Sequence, residues 1–213
     1  MQQQRKGGRT PLAIVFSMIV VATLAVALAV AAPALRANAA SASANYVKSG
    51  NGTQQSVTVW LTWYGYNDNS GQTENQHGSA DIAYPKSDGY PTLHNHATEG
   101  KGTYTDPVTF AAPNKDLKTT FPIGSIIYVP LVKKYFIMED ECGDDDPQGC
   151  QHGTNHVDLW MGPASASNGT KLDDCENNAT PNNTVKVTIN PSSSLSVDTT
   201  TMFKNNQCTI HLY

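Results

Sequence analysis

The sequence predicts an all-β fold, a small barrel of short strands. Short runs of branched and aromatic residues recur at close spacing, and Gly and Pro punctuate the gaps between them. Only residues 164–167 and 199–204 could be helical, and both stretches are too short to form a layer of their own. No internal repeat is visible.

The amino-terminal residues stand apart from that fold. Arg5, Lys6 and Arg9 make a basic start, an apolar run covers 11–32, and Ala37-Asn38-Ala39 after Pro33 supplies the small residues a signal peptidase needs. Residues 1–39 are therefore expected to be a secretory signal peptide, 40–55 a flexible leader, and 56–213 a single domain. The expected location is outside the cell, without stable membrane association after cleavage. The apolar run is also long enough to span a bilayer, so an uncleaved amino-terminal anchor is the competing reading.

Residues 56–66 (SVTVWLTWYGY) read as the first strand, with Val57, Val59, Leu61 and Trp63 on one face. A long polar insertion, 67–102, follows; it is ordered only if it covers something. Residues 102–112 turn at Pro107 into a second strand. Phe121-Pro122-Ile123-Gly124 leads tightly into a third, 125–130, and a Lys133-Lys134 turn returns the chain as a fourth, 135–138. Residues 156–160 (HVDLW) make the next apolar run, 184–190 alternates cleanly, 195–197 could add a short strand, and 209–213 closes the chain.

The net charge is −4 and no basic patch is visible, which argues against nucleic acid. No phosphate-cradling Gly loop, Ser nucleophile elbow or His-Glu-x-x-His pattern appears, so no cofactor and no metal is called for. The four cysteines, Cys142, Cys150, Cys175 and Cys208, all follow the signal and read as two disulfides in an exported chain. None are spaced as zinc ligands. Cys142–Cys150 with Cys175–Cys208 is the preferred pairing, because it pins the loop before Asp158 and staples the carboxyl terminus. The sequence leaves the other two connectivities open.

The stretch 135–162 carries the chemistry. An apolar strand ends in Glu139-Asp140-Glu141, a cysteine-closed loop follows, and the chain returns with Asp158 between Val157 and Leu159. A carboxyl with such neighbours is either hydrogen-bonded in place or desolvated enough to serve as an acid.

Thr62-Trp63-Tyr64-Gly65 followed by Asp68 is similar to the Thr-x-Tyr-Gly-x-x-Asp opening of expansins. Phe121 to Val129 resembles the Pro-x-Gly-Thr-x-Val-x-Val segment of the same superfamily, Glu139-Asp140 and His156-Val157-Asp158-Leu159 resemble the paired aspartates of "3D" domains, and the latter also resembles the expansin His-Phe-Asp-Leu motif. Together these motifs resemble the double-psi β-barrel superfamily of expansins, family 45 endoglucanases, rare-lipoprotein-A-like proteins and membrane-bound lytic transglycosylase A. The resemblance implies a six-stranded double-psi barrel acting on a cell-wall polysaccharide, peptidoglycan first and β-glucan second. It matches Asp158 to the catalytic acid and Asp68 to the second acidic position.

Each candidate has a plainer alternative. Asp158 could cap a loop, Asp140 could tune Asp158 or only stabilise the barrel, and Asp68 sits in an ordinary turn sequence. Tyr64 and Tyr66 are the favoured sugar-stacking residues, with Trp63 and His156 beside them, whereas Trp60 and Trp160 read as core. His94-x-His96 reads as a solvated pair, and Asp144-Asp145-Asp146 as a charged hairpin tip rather than a calcium loop. The expected function is glycosidic bond cleavage by a monomer. A non-catalytic expansin-like binder and a protease-inhibitor-type barrel using the long insertion are the alternatives.

Overall fold

β-Branched and aromatic runs become strands where the sequence places them. A computed structural model describes residues 52–69, 78–97, 99–114, 120–143 and 150–213. The expected signal peptide, most of the expected leader and Asp144 to Asp146 lie outside the described residues. Six strands close into a barrel: β1 (Gln55–Tyr64), β2 (Val108–Ala112), β3 (Ile126–Val129), β4 (Lys134–Glu141), β5 (His156–Trp160) and β6 (Val185–Ile189), in the ring order β1-β5-β2-β4-β3-β6. Two pairs are parallel, β1 with β5 and β2 with β4, and the remaining neighbours are antiparallel.

The ring closes because β1 serves two neighbours in succession. Its first half, Gln55 to Val59, pairs with β6, and its second half, Trp60 to Tyr64, pairs with β5. Side chains alternate across a strand, so Val59, Leu61 and Trp63 turn inward to meet Phe110, Val157, Leu159, Phe136 and Val187 in one core.

The expected placing of helix needs correction. Residues 164–167 and 199–204 are not helical, nor is 195–197 a strand, but among the described residues an α-helix, α1 (Gly169–Ala179), stands where none was expected. Asn168 caps it by accepting from the Lys171 N–H, and Leu172, Cys175, Glu176 and Ala179 form its buried stripe at helical spacing. That stripe contains one large apolar residue, which is why it is hard to see in a polar, Asn-rich segment. A two-stranded ribbon, β7 (Phe203–Lys204) with β8 (Gln207–Cys208), completes the fold. This mostly-β fold is held by Cys142–Cys150 and Cys175–Cys208, the preferred pairing; the second ties α1 to β8.

The long insertion does cover something. Successive residues of β4 grip it: Tyr84 N–H donates to the Glu139 carbonyl, Leu93 and His94 N–H donate to the Glu139 carboxylate at 2.7 and 2.9 Å, and Ala83 N–H donates to Asp140 at 2.9 Å. His94 is accordingly not a solvated histidine. It is buried, with Nδ1 2.7 Å from Glu139, and although burial alone would lower its pKa, the Glu139 hydrogen bond and charge raise it overall. His96 is exposed beside Glu99.

Candidate functional site

The barrel wall presents one row of polar residues on its outer face, and strand register builds it. Thr62 on β1 pairs with Asp158 on β5, and Asp158 pairs in turn with Ala111 on β2. Residues directly opposite share a face, and the inward partners in the next row are Trp63, Leu159 and Phe110, so Thr62, Asp158 and Ala111 face outward. Asp140 joins them through a β-bulge. Phe110 pairs with Met138, but Ala111 pairs with Asp140, leaving Glu139 as an extra residue. Without that residue, Asp140 would share the face of Met138; with it, Asp140 turns onto the face of Ala111 and Asp158.

Asp158 belongs to a hydrogen-bonded chain. The Thr62 hydroxyl donates to Asp158 Oδ1 at 2.8 Å, and the hydroxyl oxygen of Thr62 also lies 2.9 Å from His156 Nε2. A hydroxyl has one proton to give, so Nε2 carries the imidazole proton and donates to Thr62. His156 Nδ1 is then a bare acceptor, buried without a partner among the described residues. Burial, and then His152, lower the pKa of His156 to about 4, so the ring is neutral at physiological pH. Its place in the sequence-predicted site is a relay behind Asp158, not a surface contact.

Asp140 is tied down. It accepts from the Tyr64 hydroxyl, Ala83 N–H and Glu141 N–H, each at 2.9 Å. Burial raises its pKa to about 6 against the pull of those donors. Tyr64 is buried, and its pKa is pushed well up by burial, then by the charges of Asp140 and Asp158. Both carboxyls therefore bear on one tyrosine.

Asp68 belongs to the turn after β1. The residue is exposed, but its Oδ1 accepts from Gly65 N–H at 2.8 Å, and local dehydration raises its pKa despite that bond. Its link to Asp158 runs through a residue the sequence reading missed. Glu176 on α1 is buried, its Oε1 has no hydrogen-bond partner among the described residues, and its pKa rises to about 9 through burial and the charges of Asp68, Asp173 and Asp158. It is a neutral acid at pH 7. Gly65 lets α1 come this close: a Cβ there would lie 2.7 Å from Leu172 Cδ2 and 2.9 Å from Glu176 Oε1. The helical spacing of Leu172, Cys175, Glu176 and Ala179 was the available signal.

The aromatic residues divide differently from expectation. Trp63 faces the core at 5% exposure, and Tyr64 is held by Asp140, so neither presents a face to a sugar. Tyr66 is half-buried. Trp160 is core, as expected, but Trp60 is 37% exposed and stacks on His152, with ring centroids 4.2 Å apart. Trp60 precedes Thr62 by two residues and so shares its outward face. It is the exposed aromatic ledge beside Asp158.

Among the described residues no group of three or more His, Cys, Asp or Glu side chains is arranged to hold a metal ion.

A family model described as the DDB_G0273701 N-terminal domain matches residues 56–209. The chain belongs to that family. An uncharacterized protein of Dictyostelium discoideum is 37% identical over 150 residues, 70% of this chain and 58% of the relative. The chain thus spans little more than half the length of the curated relative it matches. No solved structure matches it. The DDB_G0273701 N-terminal match begins in β1 and ends beyond Cys208, so it takes in the barrel, the acidic row, α1 and both disulfides.

Proposed function

We propose that this protein is a secreted cell-wall polysaccharide-cleaving protein, acting on peptidoglycan first and β-glucan second, with Asp158 as the reacting carboxyl. The observation that carries the reading is the His156–Thr62–Asp158 chain on the outer face, next to the exposed ring of Trp60. We read the barrel as double-psi. Its interleaved order, in which β3 and β4 alone of the six barrel strands are neighbours both in sequence and in the ring, supports this, as do its two parallel pairs.

In the proposed reaction Asp158 gives a proton to the glycosidic oxygen as the bond to the anomeric carbon breaks. The carboxylate left behind is stabilised by the Thr62 hydroxyl. In lytic cleavage it then takes a proton from the substrate's own hydroxyl as that oxygen closes on the anomeric carbon. Water attack with inversion would use Asp68 as base. Glu176, neutral on α1, adds no negative charge of its own to the site.

A second reading is favoured by one observation: Asp158 is only 7% exposed. An expansin-like binder would keep the same row without needing access to the carboxyl. The experiment that separates them measures soluble fragments and pull-down on insoluble peptidoglycan and amorphous cellulose. Fragment release lost in Asp158→Asn supports cleavage, and binding without release supports the binder.

A further inference from the structure

The covering segment, residues 78–97, is fastened to the barrel at a buried carboxylate. Glu139 is 0% exposed and accepts from Leu93 N–H and His94 N–H at Oε1, 2.7 and 2.9 Å. At Oε2 it accepts from His94 Nδ1 at 2.7 Å and from the Thr109 hydroxyl at 3.0 Å. All but the Thr109 bond come from the covering segment. A carboxylate has no proton to give, so Nδ1 carries the proton of its contact. A second proton on the ring sits on Nε2, 4.0 Å from Asp106 Oδ1 in the turn before β2.

The protonated ring therefore carries its charge between carboxylates on two separate elements, Glu139 on β4 and Asp106 in the turn. Glu99 adds a third acidic group nearby, and Lys101 Nζ, 3.9 Å from the other Asp106 oxygen, opposes them. Burial alone would lower the His94 pKa, but the Glu139 hydrogen bond and charge, then Glu99 and Asp106, raise it overall. Losing the Nε2 proton leaves the Nδ1–H donor in place and removes its charge. A hydrogen bond between ionised partners is about twice as strong as a neutral one, so the contact weakens without breaking.

The next residue of β4 acts in the same direction. Asp140 accepts from Ala83 N–H of the covering segment at 2.9 Å, and burial raises its pKa to about 6. Both groups bind their protons more tightly with the segment closed than with it open. The Asp140 contribution is full below its ordinary 3.8 and is lost as pH rises through about 6. The His94 contribution is full below its ordinary 6.5 and is lost as pH rises through its higher value in the closed segment.

We propose that the His94–Glu139 contact is a pH-dependent latch, which holds residues 78–97 against the barrel at mildly acidic pH and loosens them as pH rises past neutrality. The loosening is a local opening, with the barrel strands intact. It frees the outer face around Asp140, which shares Ala111 as a pairing partner with Asp158. With the segment closed, Ala111 is 2% exposed and Asp158 is 7% exposed. The latch goes beyond the cleavage reading, because it is a property of the covering segment whatever reacts at Asp158.

The test is hydrogen exchange on the full protein from pH 5.5 to pH 8.5, with an NMR titration of the His94 ring. Protection of the Leu93 and His94 amides is read as a ratio to that of the core amides of β1, which cancels the intrinsic pH dependence of exchange. The His94 midpoint should lie above 6.5, and the ratio should fall at least about threefold across the range. His94→Asn keeps a side-chain N–H donor without the charge, so it should abolish the fall above pH 6.5 and leave the part near pH 6 that belongs to Asp140. Asp106→Asn, a change at a side chain 32% exposed, should lower the His94 midpoint and move the fall to lower pH. A midpoint at or below 6.5, a ratio flat with pH, or the same fall above pH 6.5 in His94→Asn would overturn the proposal. Should His94→Asn not fold, a midpoint unmoved in Asp106→Asn would overturn it instead. No substrate enters the test. A pH-dependent ratio in a protein that releases no glycan fragments keeps the latch and rejects cleavage, and fragment release with a flat ratio rejects the latch alone.

Discussion

Asp140 and Asp158 pair with the same residue, Ala111, from its two sides. Two strand spacings separate their backbones by roughly 10 Å, too far for a direct hydrogen bond between the carboxyls without long side chains. What joins them is Tyr64, which donates to Asp140 and feels the charge of both. The pair is thus one carboxyl engaged in holding the covering segment and one supported by a threonine relay. They are two roles set by environment, not an acid–base dyad.

Thr62→Val tests the relay. The change removes the hydroxyl between His156 and Asp158 while keeping the branched shape. The account predicts a fall in kcat of at least about tenfold with KM little changed, since a group that acts on the reacting carboxyl should matter most in the transition state. Steady-state kinetics on soluble glycan fragments checks it.

Trp60→Ala tests the exposed ledge. Trp60 is only 37% exposed and stacks on His152, so the change should cost about 1 kcal/mol, the ordinary size for a point substitution, and binding is compared between folded proteins. Binding to insoluble polymer should weaken roughly tenfold, equivalent to about 1.4 kcal/mol. Trp63→Phe, a core change, should lower Tm as well but leave the affinity of the folded protein near wild type.

Glu176 makes stability depend on pH. Its folded pKa, about 9, lies above the ordinary 4.5, so between those values the folded state binds more protons than the unfolded chain. Stability from this group is therefore full below about pH 4.5 and is lost as pH rises through 9. Glu176→Gln keeps the shape without the titration. The variant's Tm advantage over wild type should grow from pH 5 to pH 9, by at least about 2–4 °C for each kcal/mol recovered. A difference that stays flat with pH would reject the assignment.

The two disulfides should differ in worth. Cys175–Cys208 closes a separation of 33 residues and Cys142–Cys150 one of 8. On loop-closure entropy, Cys208→Ser should cost about 3–4 kcal/mol and Cys150→Ser about 2–3 kcal/mol in denaturant unfolding. The Cys175–Cys208 variant should also lose activity beyond its stability cost, because α1 carries Glu176.

How much of this was legible beforehand follows from which interactions are local. Alternation in Val57 to Trp63 and in 184–190 marks strands directly, and Asp158 between two apolar neighbours announces a buried carboxyl. The bulge at Glu139 does not announce itself, because pairing partners distant in sequence decide it. For the same reason Tyr64 and Trp63 were expected at the surface: the chain alone does not say that Asp140 would reach Tyr64. Trp60 read as core because aromatic residues bury most often, yet it occupies the outward register of β1. Helix α1 was written in its cap and its 172–175–176–179 spacing, with too little apolar area to stand out.

The most direct test of the account is mass spectrometry of the products after incubating peptidoglycan with wild type and with Asp158→Asn. The account predicts soluble glycan fragments from wild type, with anhydro ends if the substrate's own hydroxyl closes and reducing ends if water attacks. It predicts none from a folded Asp158→Asn. Equal release by both proteins, or none from either, would contradict it.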